Sequence, residues 1–252
     1  MSDLAARLAS AGCLSADEEA VELETAAAGD QQLLESMVRR REQGEPLAWI
    51  VGTIDFGGER VRVASGVYVP RLQSLPLAQL AAHTLPPGGV AVDLCTGSGA
   101  VAAYLLAHQP AARVVATDVD PQAVACARAN GVDAHVGNLF DPVPPELRGR
   151  VDVVTAVAPY VPTPELAHLP RDVRTYEPEL ALDGGGDGLD VVRRVVAEAP
   201  QWLRAGEGTV LLEIGGDQAT VVTPLLHAAG FTDVDTLVDA EDDLRGISAR
   251  LP

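Results

Sequence analysis

The stretch Val92-Asp93-Leu94-Cys95-Thr96-Gly97-Ser98-Gly99-Ala100 decides the fold of this 252-residue chain. Its apolar start predicts a buried strand, and its glycines predict a tight turn that opens directly into a helix. Glycine in such a turn also lets a ligand approach the backbone closely. The spacing Gly97-x-Gly99-x-x-Ala102 satisfies the dinucleotide-binding fingerprint with alanine in third place. The turn therefore predicts a nucleotide-like ligand, although the spacing alone does not tell which one.

Outward from this turn, short apolar strands alternate with helical segments. The apolar strand cores lie at 90–94, 114–117, 151–157 and 209–214. The helical segments follow at about 99–109, 121–130, 187–204 and 217–229. Continuous apolar strands separated by helices are typical of a parallel sheet that is covered on both faces. Two further segments, 233–238 and 246–251, are predicted to close the sheet as a pair of strands.

The chain changes character near residue 45, where a polar helical pattern gives way to short β structure. Ser15 followed by Glu18 predicts a capping box that opens one helix, and Asp30 is predicted to cap a second helix. Alternating apolar residues around Gly57-Gly58 predict a hairpin. We therefore expect three parts: a small N-terminal helical subdomain at 1–45, a β-hairpin linker at 46–69 and the main α/β domain at 70–252.

The composition limits the classes of partner. The chain carries 18 arginines, no lysine and 36 acidic residues, which gives a formal net charge of −18. Such a surface repels phosphate groups, so the sequence predicts neither nucleic-acid binding nor attachment to anionic membranes. No apolar run approaches the ~20 residues that span a bilayer, and the acidic start does not resemble a signal peptide. Three widely spaced cysteines without metal-ligand spacing predict a cytoplasmic protein without a metal site.

Asp93 separates two kinds of ligand for the glycine turn. A dinucleotide would bring its pyrophosphate to this turn, where a carboxylate would repel it. S-adenosylmethionine (SAM) instead carries a positive sulfonium and a positive amino group, which a nearby carboxylate attracts. The sequence therefore favours SAM as the cofactor, and it leaves an NAD(P)-dependent oxidoreductase as a distant alternative.

Further contacts with SAM are predicted at the ends of the next two strands. Asp118 ends the second strand, 19 residues beyond Gly99, where an acid can bind both ribose hydroxyls. Asp120 is predicted to cap the next helix. After the third strand, Asn138 is expected to hydrogen-bond the adenine and Leu139 to pack on its face. The predicted SAM-binding residues are Asp93, Thr96, Gly97, Ser98, Gly99, Asp118, Val119, Asn138 and Leu139.

The turn, the acid after the second strand and the tail of the fourth strand together resemble class I methyltransferases. The closer resemblance is to the HemK/PrmC family, which methylates a glutamine side-chain nitrogen in translation proteins. It rests on 44–48, Val51-Gly52, Val69-Pro70-Arg71, 172–178 and 180–182. The resemblance implies a Rossmann-like, seven-stranded class I methyltransferase sheet, a direct methyl transfer from SAM, and an N-terminal helical subdomain that helps to select the methyl acceptor.

One motif of that family is altered in this chain. The family carries Asn-Pro-Pro-Tyr at the end of the fourth strand, where the asparagine side chain and the next backbone carbonyl hold the acceptor amide. The matching residues are Val157-Ala158-Pro159-Tyr160, which the resemblance implies as the acceptor site. Arg71 is kept, but Gln73 and Leu75 replace the acids expected just after it. Since valine neither donates nor accepts a hydrogen bond, the acceptor amide loses a partner.

Several functions remain open at this point. The first is a SAM-dependent methyltransferase with an altered acceptor, either a protein side chain or a small molecule, or with a glutamine that it uses inefficiently. The second is a glutamine methyltransferase that tolerates Val157, and the third is a protein of the same fold that binds SAM without transferring its methyl group. The intact cofactor residues favour an active enzyme. The second glycine-rich stretch, 183–188, is predicted to be a flexible connection.

Overall fold

The computed structural model describes residues 2–239 and 242–252. The α-helices of this part are α1 (Asp3–Ser10), α2 (Ala16–Ala27), α3 (Gln31–Glu42), α4 (Leu47–Val51), α5 (Leu75–Thr84), α6 (Ala100–His108), α7 (Pro121–Ala129), α8 (Arg171–Tyr176), α9 (Asp190–Glu198) and α10 (Ala219–Ala228). The strands are β1 (Thr53–Phe56), β2 (Glu59–Arg62), β3 (Val90–Leu94), β4 (Arg113–Asp118), β5 (Asp133–Val136), β6 (Val153–Ala156), β7 (Thr209–Glu213), β8 (Thr232–Val238) and β9 (Leu244–Arg250).

Helices α1 to α3 pack around a small apolar core that includes the fully buried Leu8 and Leu23. The Asp30 side chain accepts hydrogen bonds from the backbone N–H groups of two first-turn residues of α3, so the predicted cap is confirmed. The predicted capping box is wrong, because the Ser15 side chain makes no capping hydrogen bond at the start of α2. Helix α1 was not predicted from the sequence, and its cap is Ser2.

Strands β1 and β2 form the predicted antiparallel hairpin around Gly57-Gly58. Gly57 has a φ of +65°, and a side chain there would lie against Leu75 at the start of α5. The indole N–H of Trp49 donates to the carbonyl oxygen of Val67, which ties α4 to the end of the linker (2.9 Å). The hairpin linker is therefore packed between the N-terminal helices and the main sheet.

The main sheet has seven strands in the order β5-β4-β3-β6-β7-β9-β8. Strands β3 to β7 are parallel, while β9 runs antiparallel to both β7 and β8. Alternate residues of the buried strands face two apolar clusters, one with α5, α6 and α7 and the other with α9 and α10. This arrangement confirms the predicted seven-stranded α/β sheet with its closing strand pair.

Helix α9 is shorter than the predicted segment 187–204, because it gives way to a 3₁₀ turn at Ala199–Gln201 that contains a proline. The chain leaves β3 in one direction for β4 and β5, and it returns on the other side of β3 for β6. Ligands of open α/β sheets bind at the carboxyl ends of the strands at such a switch point. The fold therefore places the candidate site above β3, β4 and β6.

Candidate functional site

A cavity of about 280 Å³ opens at the carboxyl ends of β3, β4 and β6. Its floor is the turn between β3 and α6, and its rim is formed by the segments that follow β4 and β5. The predicted SAM-binding residues that line it are Thr96, Gly97, Ser98, Asp118, Val119, Asn138 and Leu139. Two residues of the predicted set, Asp93 and Gly99, do not line the cavity.

Asp118 is held at the rim by the backbone of the two turns that it joins. Its Oδ2 accepts from the N–H of Gly97 and its Oδ1 from the N–H of Asp120, both at 2.9 Å. Burial raises the pKa of Asp118, and these two N–H groups oppose that rise. Each carboxylate oxygen keeps a free lone pair for a ligand hydroxyl. Asp120 caps α7 by accepting from the N–H of Gln122, as predicted (2.8 Å).

Asp93 lies beneath the cavity and is 1% exposed. Its two oxygens accept hydrogen bonds from the hydroxyls of Thr96 (2.6 Å) and Thr155 (2.7 Å). Burial raises the pKa of Asp93 to about 6, against the effect of both hydroxyls. The geometry thus corrects the expectation that Asp93 faces the charges of a ligand, because the carboxylate is used to tie the glycine turn to β6. The acids that line the cavity are Asp118, Asp120 and Asp183.

The two glycines of the turn serve different purposes. Gly97 has a φ of +55°, and a Cβ atom there would meet no described residue within 4 Å, so its backbone is open to a ligand. Gly99 has a φ of +81°, but a Cβ atom there would lie 2.9 Å from the Cβ of Ala127. Gly99 therefore allows α6 and α7 to pack closely. Cys95 adopts a φ of +54° without being glycine, and it lines the cavity.

The lining fits a ligand that combines a ribose, an adenine and positive charge. Within the described residues, the buried hydroxyls of Ser98 and Thr117 have no hydrogen-bond partner, and both residues line the cavity. Asn138 is exposed, and its Oδ1 accepts from Arg194 (3.1 Å), so its carboxamide is held at the rim. Leu139 is 4% exposed and adopts a φ of +47°. SAM would meet Asp118 through its ribose and the acidic lining through its charges.

The predicted acceptor segment follows β6 and divides between two cavities. Val157 and Pro159 line the cavity just described, whereas Ala158 is buried. Tyr160 is half-buried and lines a neighbouring cavity of about 600 Å³ together with Glu213. The structure therefore brings Val157 beside the predicted cofactor site and places the Tyr160 side chain in the space next to it.

The glycine-rich stretch 183–188 is not the flexible connection that the sequence predicted. It runs beside the acceptor segment, with hydrogen bonds from the N–H of Val161 to Leu182 (3.1 Å) and from the N–H of Gly184 to Val161 (2.9 Å). A Cβ atom at Gly184 would lie 2.6 Å from the carbonyl oxygen of Pro159. These glycines therefore let the loop support the backbone of the acceptor segment, a close approach that only the folded structure reveals.

Residues outside the predicted site also shape the cavity and the acceptor segment. Gln218, the residue just before α10, donates from Nε2 to the carbonyl oxygen of Tyr160 (3.0 Å). This hydrogen bond holds the backbone of the acceptor segment against the start of α10. The hairpin linker contributes Phe56 and Tyr68 to the cavity, which in this aromatic-poor chain could have been a signal. Glu177 accepts hydrogen bonds from the N–H of Val69 (3.3 Å) and from Arg71.

The described residues contain neither a metal-binding cluster nor a membrane-spanning helix. No group of three or more His, Cys, Asp or Glu side chains in this part of the chain could hold a metal ion. No helix within 2–239 and 242–252 is both long enough and apolar enough to cross a membrane.

A SAM-type cavity at the switch point of a seven-stranded sheet in this order defines a class I SAM-dependent methyltransferase. Two solved structures share the fold. A methyltransferase from Pyrococcus furiosus is 20% identical, with a TM-score of 0.51 over 75% of this chain and 88% of that chain. A 16S rRNA methyltransferase from T. thermophilus, in complex with AdoMet and guanosine, is 18% identical, with a TM-score of 0.51 over 79% of this chain and 44% of that chain.

Sequence comparison narrows the class to a family. The family described as FtsJ-like methyltransferase matches residues 77–234. The release factor glutamine methyltransferase of Cereibacter sphaeroides is 38% identical over 226 residues, which cover 86% of this chain and 79% of the relative. That of Mycolicibacterium smegmatis is 39% identical over 218 residues, which cover 84% and 75%. The chain belongs to the release factor glutamine methyltransferase family, it is a methyltransferase, and its cofactor is SAM.

Proposed function

We propose that this methyltransferase acts on a nitrogen-bearing side chain of a protein, and that its acceptor selectivity differs from that of its relatives. The relatives are named for a glutamine of release factors, which supports a protein acceptor. The observation that carries the difference is Val157, which lines the cofactor cavity where the family's motif places an asparagine. A small-molecule acceptor remains the alternative in the same site.

Different residues of this chain position SAM and the methyl acceptor. SAM supplies an electrophilic methyl group on a positive sulfonium. Asp118 orients the ribose, and Val157 and Pro159 form the wall against which the acceptor nitrogen is placed. With SAM bound, the acceptor nitrogen would take the methyl group as the sulfur–carbon bond breaks, and the surplus proton of that nitrogen would leave to solvent. Positioning in line with the sulfonium therefore carries most of the rate.

Val157 is expected to slow methyl transfer to a glutamine acceptor. An amide nitrogen is a poor nucleophile, and hydrogen bonds from its N–H groups to fixed acceptors orient it. A buried amide that lacks one partner loses about 1–3 kcal/mol. That loss corresponds to a factor of roughly 5–150 in rate.

The test compares wild type with Val157→Asn on a glutamine-bearing release-factor peptide, and Val221→Asn on the exposed face of α10 is the matched control. We expect Val157→Asn to raise kcat/KM by roughly 5–150-fold and the control to leave it unchanged. Equal rates for wild type and Val157→Asn would contradict the altered selectivity. SAM binding without transfer by either protein to any acceptor would instead favour a non-catalytic member of the fold.

The proposal also covers the class of macromolecule that is methylated and the compartment in which the protein works. The net charge of −18 supports a protein acceptor rather than a nucleic acid, since nucleic-acid phosphates would be repelled. The three cysteines are free, which suits a reducing compartment such as the cytoplasm. Tight binding of total bacterial RNA at low salt would contradict the proposal that the acceptor is a protein and not a nucleic acid.

A further inference from the structure

The Glu213 carboxylate is buried at the acceptor end of the sheet, and no described residue forms a hydrogen bond with it. Glu213 ends β7 and is 3% exposed. Within the described residues, neither of its side-chain oxygens makes a hydrogen bond, and the buried Ser74 hydroxyl is unpartnered as well. Buried polar groups in native proteins are nearly always paired, so an unpaired carboxylate at this position needs an explanation.

The sheet places this carboxylate beside Val157. Strands β6 and β7 run parallel, and their last paired positions are Ala156 and Leu212, so Val157 and Glu213 come next on the two strands. Neighbouring strands lie about 4.8 Å apart. Thr155 is paired with Leu211 on these strands. Because side chains alternate along a strand, Val157 and Glu213, two positions further on, point to the same face of the sheet as Thr155 and Leu211. The Glu213 side chain therefore projects beside the position where the family's motif has its asparagine.

Glu213 also lines the second cavity of the site, which adjoins the cofactor cavity through neighbouring residues at 73–74 and 159–160. With Tyr160 and Gln73 it lines the cavity of about 600 Å³. Val157 and Ser74 line the cofactor cavity. Burial raises the pKa of the Glu213 carboxyl, and the nearby hydroxyls of Ser74 and Tyr160 favour its charged form without reaching hydrogen-bond geometry. An acceptor side chain that passes from the second cavity toward the methyl donor therefore passes this carboxylate.

We propose that Glu213 binds the acceptor side chain in this protein, with its carboxylate accepting a hydrogen bond from the acceptor N–H and so offsetting only part of the contact that is lost with Val157. This inference rests on the proposed transfer to a side-chain nitrogen. A donor entering the second cavity supplies a partner for the buried Glu213 carboxyl, which the described residues leave unpaired.

The experiment uses the full chain as wild type, Glu213→Ala and Glu213→Gln. The matched control is Glu207→Gln, which removes an exposed carboxylate near the start of β7. Thermal melting and SAM calorimetry first establish that each variant folds and binds the cofactor. The kinetic readout is methyl transfer from labelled SAM to the glutamine-bearing release-factor peptide, with kcat and KM determined separately.

We expect Glu213→Ala to lower kcat/KM by about tenfold or more with SAM affinity unchanged, since only the acceptor contact is lost. Glu213→Gln keeps one oxygen that accepts hydrogen bonds, so its kcat/KM should lie between those of Glu213→Ala and wild type. The control should match wild type. A Glu213→Ala variant that is folded, binds SAM and keeps the wild-type kcat/KM overturns the inference and leaves the proposed function standing.

A binding measurement separates the two proposals if wild type methylates no glutamine peptide. The carboxyl carbon of Glu213 is followed by NMR in protein with isotope-labelled glutamate, and its signal is assigned by its loss in Glu213→Gln. N-acetylglutamine amide is then added with S-adenosylhomocysteine in the site. A shift of the Glu213 signal supports the carboxylate as the acceptor-binding group, and an unmoved signal overturns the inference.

Discussion

Asp118 accepts hydrogen bonds from Gly97 and Asp120 and still offers a lone pair on each oxygen to the cavity. Removing this carboxylate removes the charged acceptor for the ribose hydroxyls. Hydrogen bonds to charged groups contribute about 1.5–3 kcal/mol each. We therefore predict that Asp118→Ala weakens SAM binding by roughly 10–150-fold, as measured by calorimetry with SAM and S-adenosylhomocysteine.

The control for this prediction is Asp118→Asn, which keeps one oxygen for the N–H of Gly97 and should bind SAM with intermediate affinity. Because Asp118→Ala also leaves two backbone N–H groups without a side-chain partner, the urea midpoint of each variant is measured alongside. A folded Asp118→Ala variant with wild-type SAM affinity would remove the ribose assignment.

Asp93 gives a second prediction, which concerns the pH dependence of stability. Burial raises its pKa from 3.8 to about 6 in the folded protein. The Asp93 carboxyl group therefore binds its proton more tightly in the folded state than in the unfolded state. The resulting stabilisation is full below about pH 4 and is lost as the pH rises to about 6. At about 1.4 kcal/mol per pKa unit, the loss amounts to about 3 kcal/mol.

Asp93→Asn removes that titration while keeping the shape of the side chain. We predict that the free energy of unfolding of wild type, relative to Asp93→Asn, falls by roughly 2–3 kcal/mol between pH 4 and pH 7. Urea denaturation at both pH values measures this difference. Asp141→Asn, which removes an exposed carboxylate, is the control. A difference between wild type and Asp93→Asn that does not change with pH would contradict the prediction.

At the scale of elements, Gly99 controls how closely α6 packs on α7. A methyl group at this position would overlap Ala127 and would also occupy a φ of +81°. Gly131 provides a matched comparison, because its φ is +79° while nothing lies within 4 Å of its would-be Cβ atom. Gly131→Ala therefore has the backbone strain alone, whereas Gly99→Ala combines the same strain with overpacking.

We predict that Gly131→Ala lowers the free energy of unfolding by about 1 kcal/mol. Gly99→Ala should lower it by a further 1–3 kcal/mol or so, because the overlap adds to the strain. Urea unfolding of both variants gives the difference. Since Gly99 does not line the cavity, folded Gly99→Ala should keep its affinity for SAM. Equal destabilisation by the two substitutions would show that α6 and α7 separate without cost.

The elements that could be predicted are those whose signals are local in the sequence. The strand, glycine turn and helix from β3 to α6 combine a continuous apolar run with glycines, and the prediction is confirmed. The cap at Ser15 failed because the capping box needs a serine backbone in the extended region, whereas Ser15 has φ −101° and ψ 44°. Helix α1 is only eight residues long and was missed.

The parts of the site that could not be predicted depend on contacts between distant segments. The burial of Asp93 follows from Thr155 on a neighbouring strand, 62 residues away in the sequence. The fit of the 183–188 loop depends on the backbone of Pro159, and the place of Glu213 depends on the register of β6 with β7. None of these contacts leaves a pattern in one segment that could be interpreted by itself.

At the scale of the whole molecule, the segment after the acceptor site connects the cavity to the N-terminal helices. The Tyr176 hydroxyl donates to the carbonyl oxygen of Gln43 at the end of α3 (3.0 Å). Its ring packs edge-on against Trp49, with 6.2 Å between the ring centroids. The next residue, Glu177, accepts hydrogen bonds from the N–H of Val69, the last residue of the hairpin linker, and from the Arg71 side chain just beyond it.

This connection gives a prediction about the expected role of the N-terminal subdomain in acceptor selection. If those helices contact a protein acceptor, loosening their attachment should raise the KM of a full-length release factor more than that of a short glutamine peptide. Tyr176→Ala removes both the ring contact and the hydrogen bond, whereas Tyr176→Phe removes only the hydrogen bond. We expect Tyr176→Ala to raise the protein KM by about tenfold, for a loss near 1.4 kcal/mol, with SAM affinity unchanged.

Tyr176→Phe should lie close to wild type, because the aromatic contact with Trp49 remains. Comparing the full-length release factor with the short peptide distinguishes an effect on acceptor binding from an effect on methyl transfer. A change in the cofactor cavity would slow transfer to both acceptors alike. Equal increases in KM for the protein and the peptide would mean that the N-terminal helices do not contact the acceptor. In that case the selection of the acceptor would have to arise within the two cavities beside Val157 and Glu213.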